Sequence, residues 1–282
     1  MNLKTNQAIG VFDSGIGGLT VVRSLMERLP FENIIYFGDT ARVPYGIKSV
    51  ETINRYAAQI TEFLIKKDVK LLIVACNTMA AVAHQTIVDF SNVPVAISPR
   101  SIFVDPVPVL EVIDASARMA IQSTKNKSIG VIGTPATINS NAYARAIHLL
   151  DKDMKVFSQA CPLLVPLVEE GWFDHPATRL IVQEYLKTVI AEQIDTLVLG
   201  CTHYPLLKPL LQDILGPGIA LIDSAEAMAD IAADLINKQN LGNPNSSPPD
   251  YVFYVSDLPY RFQTIGERFL GRTLGHVELV SL

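Results

Sequence analysis

The sequence has 282 residues, enough for two ordinary domains, and with 49% apolar and 18% charged residues its composition suits a large buried core. Its formal net charge is −5, with acidic and basic residues mixed along the chain, which argues against a nucleic-acid-binding surface. Residues 1–7 are polar and lack a signal-peptide-like stretch, and no apolar run approaches the roughly 18 residues of a membrane span. We therefore expect a cytoplasmic protein without a membrane or nucleic-acid partner.

Short β-branched runs alternate with amphipathic helical patterns along the chain, which predicts an α/β fold with parallel-rich sheets. The predicted strands cover residues 8–12, 34–37, 71–75, 107–112, 128–132, 155–157, 196–199, 220–222 and 251–255. Apolar residues recur at helical spacing over 19–29, 50–64 and 181–189. We expect further helices over 224–235, with Ser224 as the N-cap, and over 260–270. The polar segment 237–250 predicts an exposed loop.

A weak internal duplication is the most informative feature of the organisation. The stretch IGVFDS at 9–14 is echoed by IGVIGT at 129–134, and LIVACNT at 72–78 by LVLGCTH at 197–203. The nearly constant spacing predicts two similar α/β domains that face each other across a cleft. We place the first domain at 1–106 plus 223–282 and the second at 107–222. Because ligands in open α/β sheets bind outside the carboxyl ends of the strands, Cys76 and Cys201 are expected to approach one ligand from opposite sides.

Two opposed thiols suit the inversion of an amino acid at its α-carbon. That reaction removes a weakly acidic proton from one face and delivers another to the opposite face, so a base and an acid must flank the carbon. A cysteine can act as either near neutral pH, but a thiol with a pKa of about 8.5 needs local assistance to become a base. The three cysteines include no Cys-x-x-Cys pair, which favours free thiols over a disulfide framework.

Polar neighbours of both thiols could give this assistance. Asp13 and Ser14 open a glycine-rich turn whose backbone amides suit a carboxylate. Further polar side chains directly follow each cysteine and could hold the carboxylate and ammonium groups of a substrate: Asn77, Thr78, Thr202 and His203. Asp13 and His203 are the residues we expect to help the thiols exchange protons.

Structural explanations compete with each of these assignments. A buried cysteine is usually a small core residue, which is our interpretation of Cys161. Asp13 could simply cap the following helix, and His203 could be half of a metal site with Cys201. No second compact ligand pair accompanies them, so we expect no metal. The glycine turn fits neither a dinucleotide-binding fingerprint nor a Walker motif, so nucleotide binding is not expected.

The chain resembles the glutamate racemase family in six segments that occur in family order over about the first 210 residues. They are IGVFDSGIGGLTVV (9–22), YFGDTARVPYG (36–46), LLIVACNT (71–78), IGVIGTPATINSNAY (129–143), CPLLVPLVEEG (161–171) and LVLGCTHYPLL (197–207). The resemblance implies two α/β domains with an active site between them, and it implies no cofactor, neither pyridoxal phosphate nor a metal. It also implies conversion of L- and D-glutamate, supply of D-glutamate for peptidoglycan, and a homodimer.

The resemblance also assigns roles to individual residues. Cys76 would take the proton from the D-isomer and Cys201 from the L-isomer. Asp13, Glu169 and His203 match family positions that assist the thiols, and Glu169 is preferred to Glu170 because it directly follows the Pro-Leu-Val of its motif. The positions that match the family's substrate contacts are Asp13, Ser14, Tyr45, Gly46, Asn77, Thr78, Thr202 and His203.

The sequence departs from the family pattern in one segment, and three other functions compete with the glutamate racemase interpretation. Residues 91–104 look like an insertion before the second half. An aspartate racemase would share both thiols and differ in the room for the side-chain carboxylate. A hydrolase with Cys201 as nucleophile and His203 as base would leave Cys76 unexplained. A non-catalytic module that binds amino acids would tolerate the loss of either thiol.

Overall fold

The apolar runs of the sequence become the strands of two parallel sheets. The computed structural model describes residues 5–92, 106–244 and 248–282. The strands in these residues are β1 (Ile9–Asp13), β2 (Ile34–Gly38), β3 (Leu71–Val74), β4 (Val109–Glu111), β5 (Ser128–Gly133), β6 (Lys155–Ala160), β7 (Thr196–Gly200), β8 (Ala220–Asp223), β9 (Tyr251–Val255) and β10 (Val277–Leu279). Every residue of β1, β3, β5 and β7 is buried, as is usual for the central strands of parallel sheets.

Helices follow most of these strands and cover the sheets. They are α1 (Leu19–Arg28), α2 (Val50–Lys66), α3 (Asn77–Ser91), α4 (Val112–Ser123), α5 (Pro135–Asn139), α6 (Ala142–Leu150), α7 (Leu164–Glu169), α8 (Pro176–Ala191), α9 (Lys208–Leu215), α10 (Ser224–Lys238) and α11 (Pro259–Leu270). None of the helices that the structure describes is both long and apolar enough to cross a membrane.

The two sheets repeat one topology. The order of the first sheet is β10-β9-β2-β1-β3-β4 and that of the second is β6-β5-β7-β8, with every pair parallel. Ile9 pairs with Leu71 in the first sheet, and Ile129 pairs with Thr196 at the corresponding place in the second. The duplicated segments are therefore the central strands of both sheets, in the same register, and the predicted fold of two similar α/β units is confirmed.

The second half begins later in the chain than the sequence predicts. The strand predicted at 107–112 was assigned to the second half, but β4 pairs with β3 and belongs to the first sheet. The following helix, α4, packs against α6, β7 and β8, whereas α10, which follows β8, packs against α1 and against α4. The helix α4 thus follows a strand of the first sheet but packs on the second half, and α10 follows a strand of the second sheet but packs on the first half. We propose that the domains divide at these two crossings, after Glu111 and after Asp223.

Helix ends and loops show smaller differences from the predictions. The N-cap of α10 is Asp223 rather than Ser224, because the Asp223 carboxylate accepts the Ala225 N–H at 2.9 Å, and Ser224 is already helical. The predicted insertion at 91–104 begins with the last residue of α3, and its remainder from 93 lies outside the described residues, as do 245–247 of the predicted loop. The strand β10 was not predicted.

Candidate active site

A cavity of about 340 Å³ lies beyond the carboxyl ends of the central strands, and residues from both sheets line it. Its walls include Ser14, Gly15, Val43, Pro44, Tyr45, Gly46, Ile47, Cys76, Asn77, Thr78, Thr134, Pro135, Pro162, Val165, Pro166, Glu169, Cys201, Thr202 and His203. All the residues predicted for the site are therefore brought to one cavity except Asp13. The volume is at the lower end of the range for small-molecule pockets.

Cys76 is the N-cap of α3 and reaches the cavity from the first sheet. Burial and, after it, the charge of Asp13 raise the pKa of its thiol to about 12, although hydrogen bonds from the backbone N–H groups of Met79 and Ser14 and from the Ser14 hydroxyl act in the opposite direction. Only 4% of the residue is exposed. With its pKa raised in this way, Cys76 is a neutral thiol near pH 7 and can donate a proton.

Cys201 reaches the cavity from the second sheet, one residue after β7, and has a histidine beside it. Its Sγ lies 3.9 Å from Nδ1 of His203, whose Nε2 lies 3.0 Å from Oε1 of Glu169. Burial alone would lower the pKa of His203, but the hydrogen bonds and negative charges of Cys201 and Glu169 raise it to about 10. Although burial raises the pKa of Glu169, the bond to His203 and the charges of His203 and Arg261 lower it overall. The arrangement favours a carboxylate–imidazolium pair next to the sulfur.

Asp13 lies behind the cavity wall rather than in it. It is fully buried, and its carboxylate accepts the Gly15 N–H at 3.0 Å and lies 3.5 Å from the Thr202 hydroxyl. Burial raises the pKa of Asp13, opposed by the charge of His203 and by backbone N–H groups of the turn. Without exposed surface, Asp13 is better placed to influence Cys76 and hold the glycine turn than to touch a ligand.

The glycine turn after β1 packs directly on the loop that carries Cys201. A Cβ atom at Gly17 would lie 2.3 Å from Oγ1 of Thr202 and 2.5 Å from Nδ1 of His203. The Thr20 hydroxyl is within hydrogen-bonding distance of the carbonyl oxygens of both Gly17 (2.9 Å) and Thr202 (3.2 Å). A side chain at position 17 would therefore displace the loop of the other half that carries Cys201, which gives this glycine a steric role.

Asn77 and Thr78 begin α3, so they join the free backbone N–H groups at its start, where a negatively charged group is favoured. Oδ1 of Asn77 accepts a hydrogen bond of 2.5 Å from the Tyr143 hydroxyl, and its buried Nδ2 has no hydrogen-bond partner among the residues that the structure describes. The Thr78 hydroxyl lies 3.1 Å from that of Thr134 and 3.3 Å from that of Thr137. Donors from both sheets thus meet at this end of the cavity.

Tyr45 and Gly46 belong to a short helical turn, Tyr45–Ile47, that also lines the cavity. The Tyr45 hydroxyl donates to the buried carboxylate of Asp39, which also accepts from Arg42 Nε at 2.6 and 2.8 Å. A Cβ atom at Gly46 would lie 2.9 Å from Cβ of Thr134 in the other half. These contacts hold a short helical turn of the first half closely against α5.

Sequence reasoning missed several residues that support the site. Tyr143 is the last residue of one motif shared with the racemase family, and Asp39 lies inside another. Membership in these motifs marked both residues as candidates, but the motifs do not show which residues they contact. Phe269, whose ring meets that of His203 edge-on at 5.2 Å, lies outside all the quoted motifs. The contact joins α11 to a loop 66 residues away, and no local pattern reports such a distance in sequence.

Cys161 is separate from the cavity. It is fully buried, its Sγ lies 3.6 Å from the Gln159 carbonyl oxygen, and burial, followed by the charge of Cys201, raises its pKa to about 12. Its core assignment agrees with this position. Within 5–92, 106–244 and 248–282, no group of three or more His, Cys, Asp and Glu side chains could hold a metal ion.

The chemistry that this cavity can support is proton exchange on a small anionic ligand. It has a neutral thiol on one side, a thiol beside an imidazolium on the other, and amide, hydroxyl and backbone donors around them. Both sulfurs are nearly excluded from solvent, and in such surroundings fixed donors stabilise developing charge strongly.

Comparison with known proteins agrees with this chemistry. The sequence model of the Asp/Glu/Hydantoin racemase family matches residues 9–232. A glutamate racemase from Syntrophus aciditrophicus is 68% identical over 274 residues, which cover 97% of this chain and 96% of that protein, and one from Neisseria meningitidis is 56% identical over 281 residues, which cover 100% and 99%. The crystal structure of glutamate racemase from Francisella tularensis in complex with D-glutamate matches with a TM-score of 0.88 and 42% identity over 98% of each chain. The chain therefore belongs to the Asp/Glu/Hydantoin racemase family and, within it, to the glutamate racemases, which are isomerases.

Proposed function

We propose that the protein interconverts L- and D-glutamate without a cofactor by passing protons between the substrate and two cysteines, Cys76 and Cys201. The observation that carries this proposal is that both thiols line one cavity, each from the carboxyl end of the equivalent strand in a different sheet. The D-glutamate complex of the Francisella tularensis relative supports glutamate as the substrate.

The proton steps follow from the surroundings of the two sulfurs. Cys201, as a thiolate beside the His203 imidazolium, removes the α-proton of L-glutamate, and the electron pair left on the α-carbon spreads into the adjoining carboxylate. The Cys76 thiol then donates its proton to the opposite face, which leaves D-glutamate, a neutral Cys201 and a Cys76 thiolate. The reverse reaction starts from that last state, in which Cys76 is the base and Cys201 the acid.

Neighbouring groups assist each half of this exchange. His203, held by Glu169, offsets the negative charge of Cys201. At Cys76 the charge of Asp13 raises the pKa of the thiol, whereas hydrogen bonds from Ser14 lower it. A positioned acid or base typically contributes about 10²–10⁴-fold to a rate. The remaining stabilisation of the carbanion-like state is assigned to donors that face the substrate: Ser14, Tyr45, Gly46, Asn77, Thr78, Thr202 and His203.

The wider role of the protein is part of the same proposal and follows from the family. We propose that the product D-glutamate is supplied to peptidoglycan synthesis in the cytoplasm, so that the enzyme contributes to cell-wall formation and cell shape, and that the protein works as a homodimer. Neither a metal nor a nucleic acid takes part in the proposed reaction.

Solvent-exchange measurements test the proposed reaction. The purified protein is incubated in D₂O with L- or D-glutamate and no added cofactor, while optical rotation and α-deuterium are followed. We expect inversion from both isomers with incorporation of solvent deuterium, and aspartate should be a poor substrate. A folded preparation that neither inverts glutamate nor incorporates deuterium would reject the proposal, and faster turnover of aspartate would favour an aspartate racemase.

A further inference from the structure

Tyr143 joins the two halves of the protein at the edge of the cavity. It lies on α6 in the second half, and its hydroxyl donates to Oδ1 of Asn77, the first residue of α3 in the first half. Both residues are almost completely buried, and the 2.5 Å distance is short for a hydrogen bond. Tyr143 does not itself line the cavity.

This hydrogen bond decides which way the amide of Asn77 points. A tyrosine hydroxyl that donates must face the carbonyl oxygen of the amide, so the NH₂ group is turned to the other side. Nδ2 of Asn77, a residue that lines the cavity, is buried there without a hydrogen-bond partner in the described part of the chain. A buried donor without a partner is costly, and a ligand that accepts its hydrogen bond removes this cost.

The ring of Tyr143 is itself held firmly. A Cβ atom at Gly200 would lie 3.0 Å from Cε2 of the ring, so β7 approaches it closely just before Cys201. Ser116 on α4 interacts with the phenol as well. The hydroxyl is therefore fixed by the second half while it orients a side chain of the first half.

We propose that Tyr143 is a positioning residue that locks the Asn77 amide with its NH₂ group toward the cavity, where it binds a carboxylate oxygen of the substrate. The inference rests on the proposed function, because it takes glutamate as the ligand. Because the two residues lie on helices of different halves, the bond also depends on how the halves pack against each other.

Kinetics of Tyr143→Phe test this role, because the variant keeps the ring and removes only the hydroxyl. We expect KM for glutamate to rise roughly 10–100-fold, as for the loss of one hydrogen bond to a charged group, with kcat within about threefold of the wild type. If Tyr143 acts through Asn77, adding Tyr143→Phe to Asn77→Ala should change KM by less than about twofold. An unchanged KM in the single variant, or full additivity in the double variant, would overturn the inference.

Two further variants separate this role from general destabilisation. Tyr254→Phe also removes a phenol oxygen that takes part in a hydrogen bond, with Nζ of Lys67, but far from the cavity lining, and should leave KM unchanged. Asn77→Asp leaves Tyr143 intact and replaces the donor by a charged oxygen, so KM should rise at least as much as in Tyr143→Phe. An unaltered KM in Asn77→Asp would contradict the proposed amide orientation. Absence of racemisation in the wild type would instead count against the proposed function.

Discussion

The two cysteines of the cavity are similar in burial but differ in charge environment. Cys76 has the buried carboxylate Asp13 near it, whereas Cys201 has the imidazolium of His203 at 3.9 Å. A negative neighbour favours the neutral thiol and a positive neighbour favours the thiolate. The surroundings of the two thiols are therefore asymmetric, with a buried carboxylate near Cys76 and an imidazolium beside Cys201.

This asymmetry predicts unequal alkylation by iodoacetamide, which reacts with thiolates. At pH 7 Cys201 should be modified faster than Cys76, and Cys161, which is fully buried outside the cavity, should react slowest. Because the pKa of Cys76 is raised to about 12, its thiolate fraction and its labelling rate should rise roughly tenfold for each pH unit between pH 7 and 10. Peptide mass spectrometry measures the three rates.

Saturating glutamate provides the control for this labelling experiment. It should slow the modification of Cys76 and Cys201 together and leave that of Cys161 unchanged. Equal rates for Cys76 and Cys201 at pH 7 would contradict the different charge surroundings of the two thiols, and protection of only one of them would contradict the shared cavity.

At the scale of elements, the glycine turn between β1 and α1 packs against the loop of the other half that carries Cys201. The absence of a side chain at Gly17 lets the turn touch Thr202 and His203, and the close packing leaves no space for a methyl group. Misplacement of catalytic groups by about 1 Å can cost roughly 10²-fold in rate.

We therefore expect Gly17→Ala to lower kcat/KM by roughly 10–100-fold, because the added Cβ pushes the His203 imidazole away from Cys201. Gly218→Ala is the matched control, since a Cβ there meets no atom within 4 Å, and it should keep wild-type kinetics. Steady-state racemisation rates and thermal unfolding of both variants check this. A Gly17→Ala enzyme with normal kcat/KM would show that the turn does not position the loop.

Most strands were predictable from the sequence because buried parallel strands appear as continuous apolar runs, whereas the helices α3 to α7 and α9 were not among the predicted elements. The short strand β4 was found, but its sheet was misassigned, since the sequence of a strand does not state its partner. Asp223 was missed as the N-cap of α10 because Asp and Ser are both good N-caps and stand next to each other. The strand β10 has only three residues, which is too short for a pattern.

At the scale of the whole molecule, the exchange of helices binds the two halves to each other. The crossings after Glu111 and Asp223 send α4 and α10 to pack on the opposite halves. The duplicated sequence was sufficient to predict two facing halves and both thiols. It could not predict contacts made between the halves, such as Tyr143 with Asn77, because these depend on how two separate surfaces meet.

Because of this exchange, we expect the halves to unfold together. Trp172, the one tryptophan of the sequence, lies in the second half, so its fluorescence reports that half, while far-ultraviolet circular dichroism reports both. The two thermal transitions should have midpoints within about 2 °C of each other, and glutamate should raise both by stabilising the folded state. Transitions that separate clearly would show that each half is an independent folding unit.

The central claim, that one thiol acts on each face of the same carbon, is tested most directly by the rates of net inversion in Cys76→Ser and Cys201→Ser. In each variant the rate of net inversion should fall by about 10²–10⁴-fold or more with both L- and D-glutamate, because inversion needs a base and an acid in either direction. Cys161→Ser, changed outside the cavity, should remain active. Inversion at the wild-type rate by a folded variant that lacks either Cys76 or Cys201 would contradict the two-cysteine account.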